Sequence, residues 1–468
     1  MAIPPAPETL ARLKAAVGPQ GWSDDPERLA PKLTEWRDAW RGSTPLLMLP
    51  ASTAEVAAVV GICAATGTAI TPQGGNTGLV GGQTPQGEVL LSLDRMRAVR
   101  SVDAGEDVLV VEAGATLAAA QAAAAAVDRL FPLSLASDGS ATVGGAIATN
   151  AGGIAVLRYG TMRALVLGIE AVLPDGSVFE GLKRLRKDNT GYDLKQLLIG
   201  AEGTLGVVTA AALRLFPVMR SRAVAVVGVP DPAAALGLLT LARTLSGGMV
   251  EAFELMGRLG VALAVKHANA REPLESAYPW YVLIEIAAPE AGAAEGFLQR
   301  ILEAGLQGGL VLDAAVAQNQ SQAHALWAVR EHQSAGQKPE GAAWKHDIAV
   351  PVGAVPDFIV AATEAAEASA PGARVVAFGH MGDGNIHFDV LPPVGGDPAA
   401  HTAAYPAASR RIHDIALALG GTISAEHGLG VLKTTEALRY KPGAEVAAMR
   451  AIRQALDPGR IMNPRVLF

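Results

Sequence analysis

The sequence predicts a mixed α+β protein of two or three domains, and three observations carry that expectation. From Pro45 onward, short strand-like apolar runs alternate with helical ones. Three glycine-rich stretches, at residues 72–84, 139–153 and 198–208, interrupt the alternation. Near residue 380, two β-prone arms flank Gly382-Asp383-Gly384-Asn385, a composition suited to a tight turn. The totals agree. With 468 residues, half of them hydrophobic and 18% charged, the chain is too long for one core and too apolar to be disordered. A net charge of −7 argues against nucleic acid as a partner, though a locally basic pocket for a small anion is compatible with it. The single cysteine, Cys63, lies in an apolar helical run and reads as a buried core thiol. The N-terminal stretch lacks the basic start and apolar core of a signal peptide, and no run of about 18 apolar residues reads as a membrane span. A cytoplasmic protein is the expectation.

Taken in order, residues 1–42 read as a helical lead-in, with Trp36 and Trp40 four apart as packing residues on one face of a helix from Leu33 to Arg41. Leu46 to Leu49 is a short strand. Ser52 or Thr53 caps a helix that has Glu55 in its first turn and stops at Gly67. Strand resumes at Ala69 to Thr71 and runs into the first glycine stretch, where five of the nine residues 74–82 are glycine. Such density lets backbone N–H groups approach an anion closely. It is neither a P-loop nor a Rossmann turn, since both spacings are missing. Val166 to Leu173 reads as a strand that turns at Pro174-Asp175-Gly176. Three glycine stretches in one domain suit a long ligand with a pyrophosphate. A proline-bounded strand, Ala223 to Val229, marks a domain boundary near 218, and 233–245, 281–287, 291–304 and 309–314 continue as alternating helices and strands.

Folding the 380 region about Asp383-Gly384 sets Met381 opposite Ile386 and His380 opposite His387. Opposed side chains have Cβ atoms about 5 Å apart on one face. Two imidazoles held so can share a metal ion at about 2.0–2.1 Å. Ser424-Ala425-Glu426-His427-Gly428-Leu429-Gly430 offers a third ligand.

Pro72-Gln73-Gly74-Gly75-Asn76-Thr77-Gly78, Thr149-Asn150-Ala151-Gly152-Gly153 and Gly200-Ala201-Glu202-Gly203-Thr204-Leu205-Gly206 resemble the FAD-binding signature of vanillyl-alcohol-oxidase-type flavoproteins. Together with the histidine hairpin, they make the chain from about Pro45 to Phe468 resemble the D-2-hydroxyacid dehydrogenases, and within them the D-2-hydroxyglutarate branch. The resemblance implies a helical lead-in at 1–42, an FAD-binding domain at 43–218, a substrate (cap) domain at 219–430 with an antiparallel sheet and helices on one face, and a return to the FAD domain at 431–468. Pro72, Gly74, Gly75, Asn76, Thr77, Gly78 and Gly82 would wrap the FAD pyrophosphate. Ser140, Gly145, Thr149, Asn150 and Gly152 would line the flavin side, with Glu202 and Gly203 close by and Val207 toward the adenine or ribose. Asn463 keeps part of the family's terminal Asn-Pro-Gly-Lys segment and would touch the flavin edge, while Arg465 has no assigned role. No histidine stands in the first loop, so the FAD is expected to be non-covalent.

The same resemblance assigns His380, His387 and Glu426 to a zinc-like divalent metal and His427 to the base. Glu426 and His427 are adjacent, so both can border one cavity only if the chain bends, which Gly428 and Gly430 permit. Arg330, Ser334 and Lys345 fall at the substrate-carboxylate contacts, with Asn385, inside the turn, orienting the substrate. A buried lysine at 345 would need a second substrate carboxylate as its partner, which favours a dicarboxylate such as D-2-hydroxyglutarate, or the shorter D-malate, over D-lactate. His346 is a candidate for support behind Lys345. Hydride transfer to flavin with a histidine base is the implied reaction. Electron-transfer flavoprotein or a quinone pool is the implied acceptor, and a homodimer is compatible. Two other classes compete: a zinc hydrolase, which leaves the glycine stretches without a use, and a flavin-binding subunit without catalysis of its own.

Overall fold

The computed structural model describes residues 4–467. They divide into two compact units: one built from the chain up to Gly153, Tyr159–Val218 and Glu426 onward, the other from Ile154–Arg158 and Met219–Ala425. The lead-in is thus part of the first unit. The chain re-enters that unit at Glu426 rather than after residue 430, which puts Glu426 and His427 with the glycine stretches instead of with the cap.

In the first unit, the helix Thr53–Thr66 forms through a reciprocal cap. Ser52 Oγ accepts the Glu55 N–H at 3.2 Å, Glu55 accepts the Ala51 N–H at 2.8 Å, and Gly67 ends the helix at φ 64°. The helix links two strands of a four-stranded sheet ordered Trp22–Ser23, Leu47–Met48, Val89–Ser92, Ile70–Gln73, the last three mutually parallel. Met462 adds a parallel bridge beside Ile70. A separate antiparallel sheet runs Val99–Asp103, Val108–Glu112, Val207–Arg214, Val166–Val172, Val178–Gly181. Cys63 is fully buried, and burial pushes its thiol up to about 12, so it is chemically inert.

The expected helix from Leu33 to Arg41 is absent. A helix at Pro26–Leu33 ends there, and the chain loops back with the Gly42 N–H on Leu33 O at 2.8 Å. Asp38 at φ 58° breaks the helical path. Trp40 packs against Gly81, whereas Trp36 is 64% exposed and is no packing residue.

The second unit is built on a seven-stranded antiparallel sheet ordered Asp313–Val316, Ser221–Val229, Trp280–Ala288, Val250–Gly257, Arg374–His380, Asn385–Leu391, Trp344–Ala349. Helices cover both of its faces rather than one. Leu238, Ile301, Phe358 and Ile412 pack on Val227, Phe253, Ile284 and Phe388. Val261, Ala264 and Val329 pack on Val224, Met256, Tyr281 and Leu283 of the other face. Burial on both sides is why these strands read as continuous apolar runs. At the hairpin end the second face carries charged and imidazole side chains instead, Glu254 and His380 among them.

One surface cluster of this unit carries a pH-dependent load. Glu340 accepts from Arg374 at 2.6 Å, Lys266 at 2.9 Å and His267 at 2.7 Å. These partners, Arg374 foremost, hold its carboxyl at about 2 against an ordinary 4.5. A depressed pKa stabilises the folded state fully above about 4.5 and ceases to do so as pH falls through about 2. Melting curves across that window should therefore fall more steeply for the wild type than for Glu340→Gln. Parallel curves would remove the cluster from the acid response.

Candidate active site

The glycine stretches of the first unit wall a cavity of about 390 Å³. Pro72, Gly74, Gly75, Asn76, Thr77, Gly78, Gly82, Gly145, Thr149, Gly152, Glu202, Gly203, Val207 and Asn463 all line it. Ser140 and Asn150 do not. Ser140 supports the wall from behind, its carbonyl closely opposed to Gly75, and Asn150 caps the helix Val143–Thr149 at φ 49° while accepting the Arg163 N–H at 2.9 Å. Among lining residues the sequence did not flag are Gln73, Gln83, Ala113 and Thr142. The first loop and the 140–145 segment approach so closely that only glycine fits. A Cβ on Gly75 would lie 1.9 Å from Ser140 O, and one on Gly74 2.5 Å from Thr142 Oγ1.

Three amides of this wall share one arrangement. Gln73 spends its NH2 on Lys32 O and Gln83 O, Asn76 on Pro31 O and Thr34 O, and Asn463 on Gly82 O and Glu202 O, at 2.8–3.3 Å. Each carbonyl oxygen is left buried with no donor from the protein. Buried acceptors of this kind need a partner. A ligand rich in hydroxyl, imide and amino donors supplies one, so the residues fit a dinucleotide such as FAD.

The end of the chain is tied into the same wall. Arg453, 4% exposed and held down to about 10 by burial, donates to Val466 O, Met462 O and Asn463 O. Arg465 bonds Glu88 at 2.9 Å and Thr84 O, so its role is to anchor this segment. Glu426 and His427 both border the cavity, made possible by left-handed Gly428 (φ 72°) and Gly430 (φ 49°). The Glu202 carboxylate accepts the N–H groups of Leu429 and Gly430 at 2.9 and 2.7 Å. Burial raises its pKa against those two donors. Its carboxyl oxygens thus hold the segment after His427 at Leu429 and Gly430.

In the second unit the hairpin forms with a different register. Phe378 stands opposite His387, and the connection is the four residues Met381 to Gly384 rather than a turn at Asp383-Gly384. Asp383 accepts the Asn385 N–H at 3.1 Å and Gly384 takes φ 86°, which sets the longer loop. His380 and His387 are therefore diagonal neighbours, still on one face, with ring centroids 6.2 Å apart and ring nitrogens within 4.8 Å of one another. That spacing suits two ligands of one ion. Directly across from His380 is Glu254, on a strand that sequence reading missed. Its carboxylate meets His380 Nδ1 at 2.7 Å and Arg330 Nε at 2.7 Å, and the Arg330 guanidinium lies 4.9 Å from the Phe378 ring centre.

The other predicted substrate contacts are placed less simply. Lys345 is not a buried lysine awaiting a partner. It lies on the edge strand, 53% exposed, with Nζ 2.5 Å from Asp389 of the neighbouring strand and 2.9 Å from Gln337. Asn385 is not inside the turn but is the first residue of its strand, 3% exposed, donating to Asp347 at 3.1 Å and Ile348 O at 2.9 Å. Its Oδ1 has no donor. Ser334 is exposed on the short helix Gln333–Gln337. His346 points to the opposite face from Lys345, bonded to Phe388 O and Ser409, and gives it no support.

Known proteins resemble this chain in sequence and fold. Residues 44–181 match the family described as FAD binding domain, and 218–467 that described as FAD linked oxidases, C-terminal domain. The chain is 38% identical over 460 residues to the D-2-hydroxyglutarate dehydrogenase, mitochondrial, of Bos taurus, covering 98% of this chain and 82% of that one. It is 35% identical to the D-2-hydroxyglutarate dehydrogenase of a Xanthomonas citri strain, covering 93% and 91%. A putative mitochondrial D-lactate dehydrogenase of Schizosaccharomyces pombe is 34% identical, with 94% and 85% covered. Among solved structures, an alkyldihydroxyacetonephosphate synthase superposes with a TM-score of 0.74 at 19% identity (100% and 87% covered). A 4-ethylphenol oxidase from Gulosibacter chungangensis does so with 0.73 at 18% (99% and 98%). The chain belongs to the FAD-linked oxidase family, alongside the D-2-hydroxyglutarate dehydrogenases, and carries the vanillyl-alcohol-oxidase type of FAD-binding fold.

Proposed function

We propose that this protein oxidises D-2-hydroxyglutarate to 2-oxoglutarate, using non-covalent FAD and a divalent metal, zinc by preference. The observation that carries the reading is the hairpin end of the second unit's sheet, where two imidazoles suited to one ion stand together and one of them, His380, is linked through the Glu254 carboxylate to Arg330. FAD, when bound, supplies the electron-pair acceptor. Zinc, held by His380, His387 and Glu426, would supply Lewis acidity toward the substrate hydroxyl. His427 removes the hydroxyl proton, which a neutral imidazole can do. Arg330 binds a carboxylate through its two terminal nitrogens, since Nε is spent on Glu254. Asn385 orients the substrate as an acceptor through Oδ1, because its NH2 is committed to the protein. Lys345 and Ser334 take the distal carboxylate.

The Lys345 assignment has a consequence. A distal carboxylate must displace or share the Asp389 contact, whereas a monocarboxylate leaves that pair intact. This specific feature favours a second reading, D-lactate or another D-2-hydroxy monocarboxylate on the same scaffold; D-malate, a shorter dicarboxylate, is the further alternative. Lys345→Ala should lower kcat/KM for D-2-hydroxyglutarate at least about 10-fold while sparing D-lactate. Equal losses on both acids would remove the argument for the second carboxylate. The overall reading is tested by adding D-2-hydroxyglutarate anaerobically and following the yellow flavin colour, with and without a chelator. Bleaching that the chelator abolishes supports flavin, metal and substrate together. Bleaching by D-lactate alone overturns the substrate, and a colourless protein overturns the flavin.

As acceptor we propose electron-transfer flavoprotein or a quinone pool, with a homodimer as the assembly and the cytoplasm as the location. The cattle relative's name places that protein in mitochondria. Among the described residues no helix is long and apolar enough to cross a membrane.

A further inference from the structure

Glu254 is a 1% exposed carboxylate in the wholly buried strand Val250–Gly257, and nothing in the reaction outlined above uses it directly. A buried carboxylate on this site is expensive to keep, and an apolar residue of similar volume would often serve stability as well. What distinguishes Glu254 is the identity of its two partners. Oε1 is 2.7 Å from Nδ1 of His380, directly across the strand pair, and Oε2 is 2.7 Å from Nε of Arg330.

We propose that Glu254 is a positioning residue that serves both halves of the site at once, presenting His380 to the metal and Arg330 to the substrate carboxylate. The proposal rests on the reading of His380 as a ligand and Arg330 as the carboxylate contact. Toward His380, a carboxylate acceptor at Nδ1 fixes the proton there, so that the imidazole ligates through Nε2 and in one ring orientation. Toward Arg330, taking up Nε turns the two terminal nitrogens outward as a fork matched to a carboxylate. The Phe378 ring under the guanidinium fixes the plane of that fork. Because both bonds end on one carboxylate, a change at Glu254 must disturb metal affinity and substrate binding together. A residue that only filled the core would disturb neither without lowering stability.

The test uses full-length protein stripped of metal. Zinc affinity is read by competition with a chromogenic chelator, and steady-state KM and kcat for D-2-hydroxyglutarate are measured after reloading. Glu254→Gln keeps the volume and one acceptor but removes the charge. It should bind zinc 10–100-fold more weakly, a typical loss for a group supporting a metal ligand, and KM should rise about 10-fold, more than kcat falls. Glu254→Asp should recover part of the zinc affinity. His387→Ala reports on the metal reading itself. If it loses zinc while Glu254→Gln binds zinc and substrate as the wild type does, the positioning role is overturned and the metal reading stands. If His387→Ala binds zinc normally, the metal reading has failed and this proposal falls with it. Should Glu254→Gln not yield folded flavoprotein, Glu254→Asp is compared with the wild type in the same assays, and unchanged affinity in that variant overturns the proposal.

Discussion

Gly75→Ala should purify without its flavin. The Cβ would meet Ser140 O at 1.9 Å, Ser140 C at 2.7 Å and Ala141 Cα at 3.1 Å. All three are backbone atoms, so no side-chain rotation can relieve the contact. One of two cavity walls must move by more than an ångström, and the first loop is also pinned by Gln73 and Asn76 to carbonyls of the lead-in. Overpacking of this kind costs about 3 kcal/mol, on the order of 100-fold in cofactor affinity. The measurement is the flavin-to-protein ratio after purification, followed by FAD titration of the stripped protein. Gly139→Ala is the control, since nothing lies within 4 Å of a Cβ at that neighbouring position. Wild-type flavin content in Gly75→Ala would mean that the 140 segment yields, and that the close approach does not shape the site.

His427→Ala should retain flavin and lose turnover. His427 borders the cavity without supplying any of its glycine walls, so the cofactor has no reason to leave. A positioned general base contributes about 10²–10⁴-fold, and kcat should fall by that amount with zinc content and melting temperature unchanged. The readout is the rate of anaerobic flavin bleaching in a single turnover. A fall of less than 10-fold would assign proton removal to another group.

The parts of the site legible in the sequence are those encoded by neighbours in the chain. Ser52, Glu55 and Gly67 mark both ends of their helix within fifteen residues, and the helix forms between those marks. Glycine spacing announces close backbone approach wherever it occurs, so most of the cavity wall could be named. What could not be read depends on partners set by register. Glu254 meets His380 across 126 residues of sequence, on a strand whose two glutamates disguise it as surface. Lys345 has its carboxylate in Asp389 only because those residues face each other on paired strands. Trp36 and Trp40 have helical spacing, but a left-handed Asp38 between them overrides it. The hairpin histidines survived a wrong register because a shift of two residues preserves the face.

The hydrogen bond from Asn463 to Gly82 O closes across 381 residues, and the whole second unit, the short Ile154–Arg158 piece included, is threaded between its ends. In kinetic terms this makes closure of the cofactor chamber by the chain's end a late event. Contacts this distant in sequence are slow to find, and the loop closure they require is opposed by chain entropy until the inserted unit has condensed. Protein-bound flavin, read as FAD that travels with the protein on rapid gel filtration, should therefore appear late in refolding, after the bulk of the secondary structure.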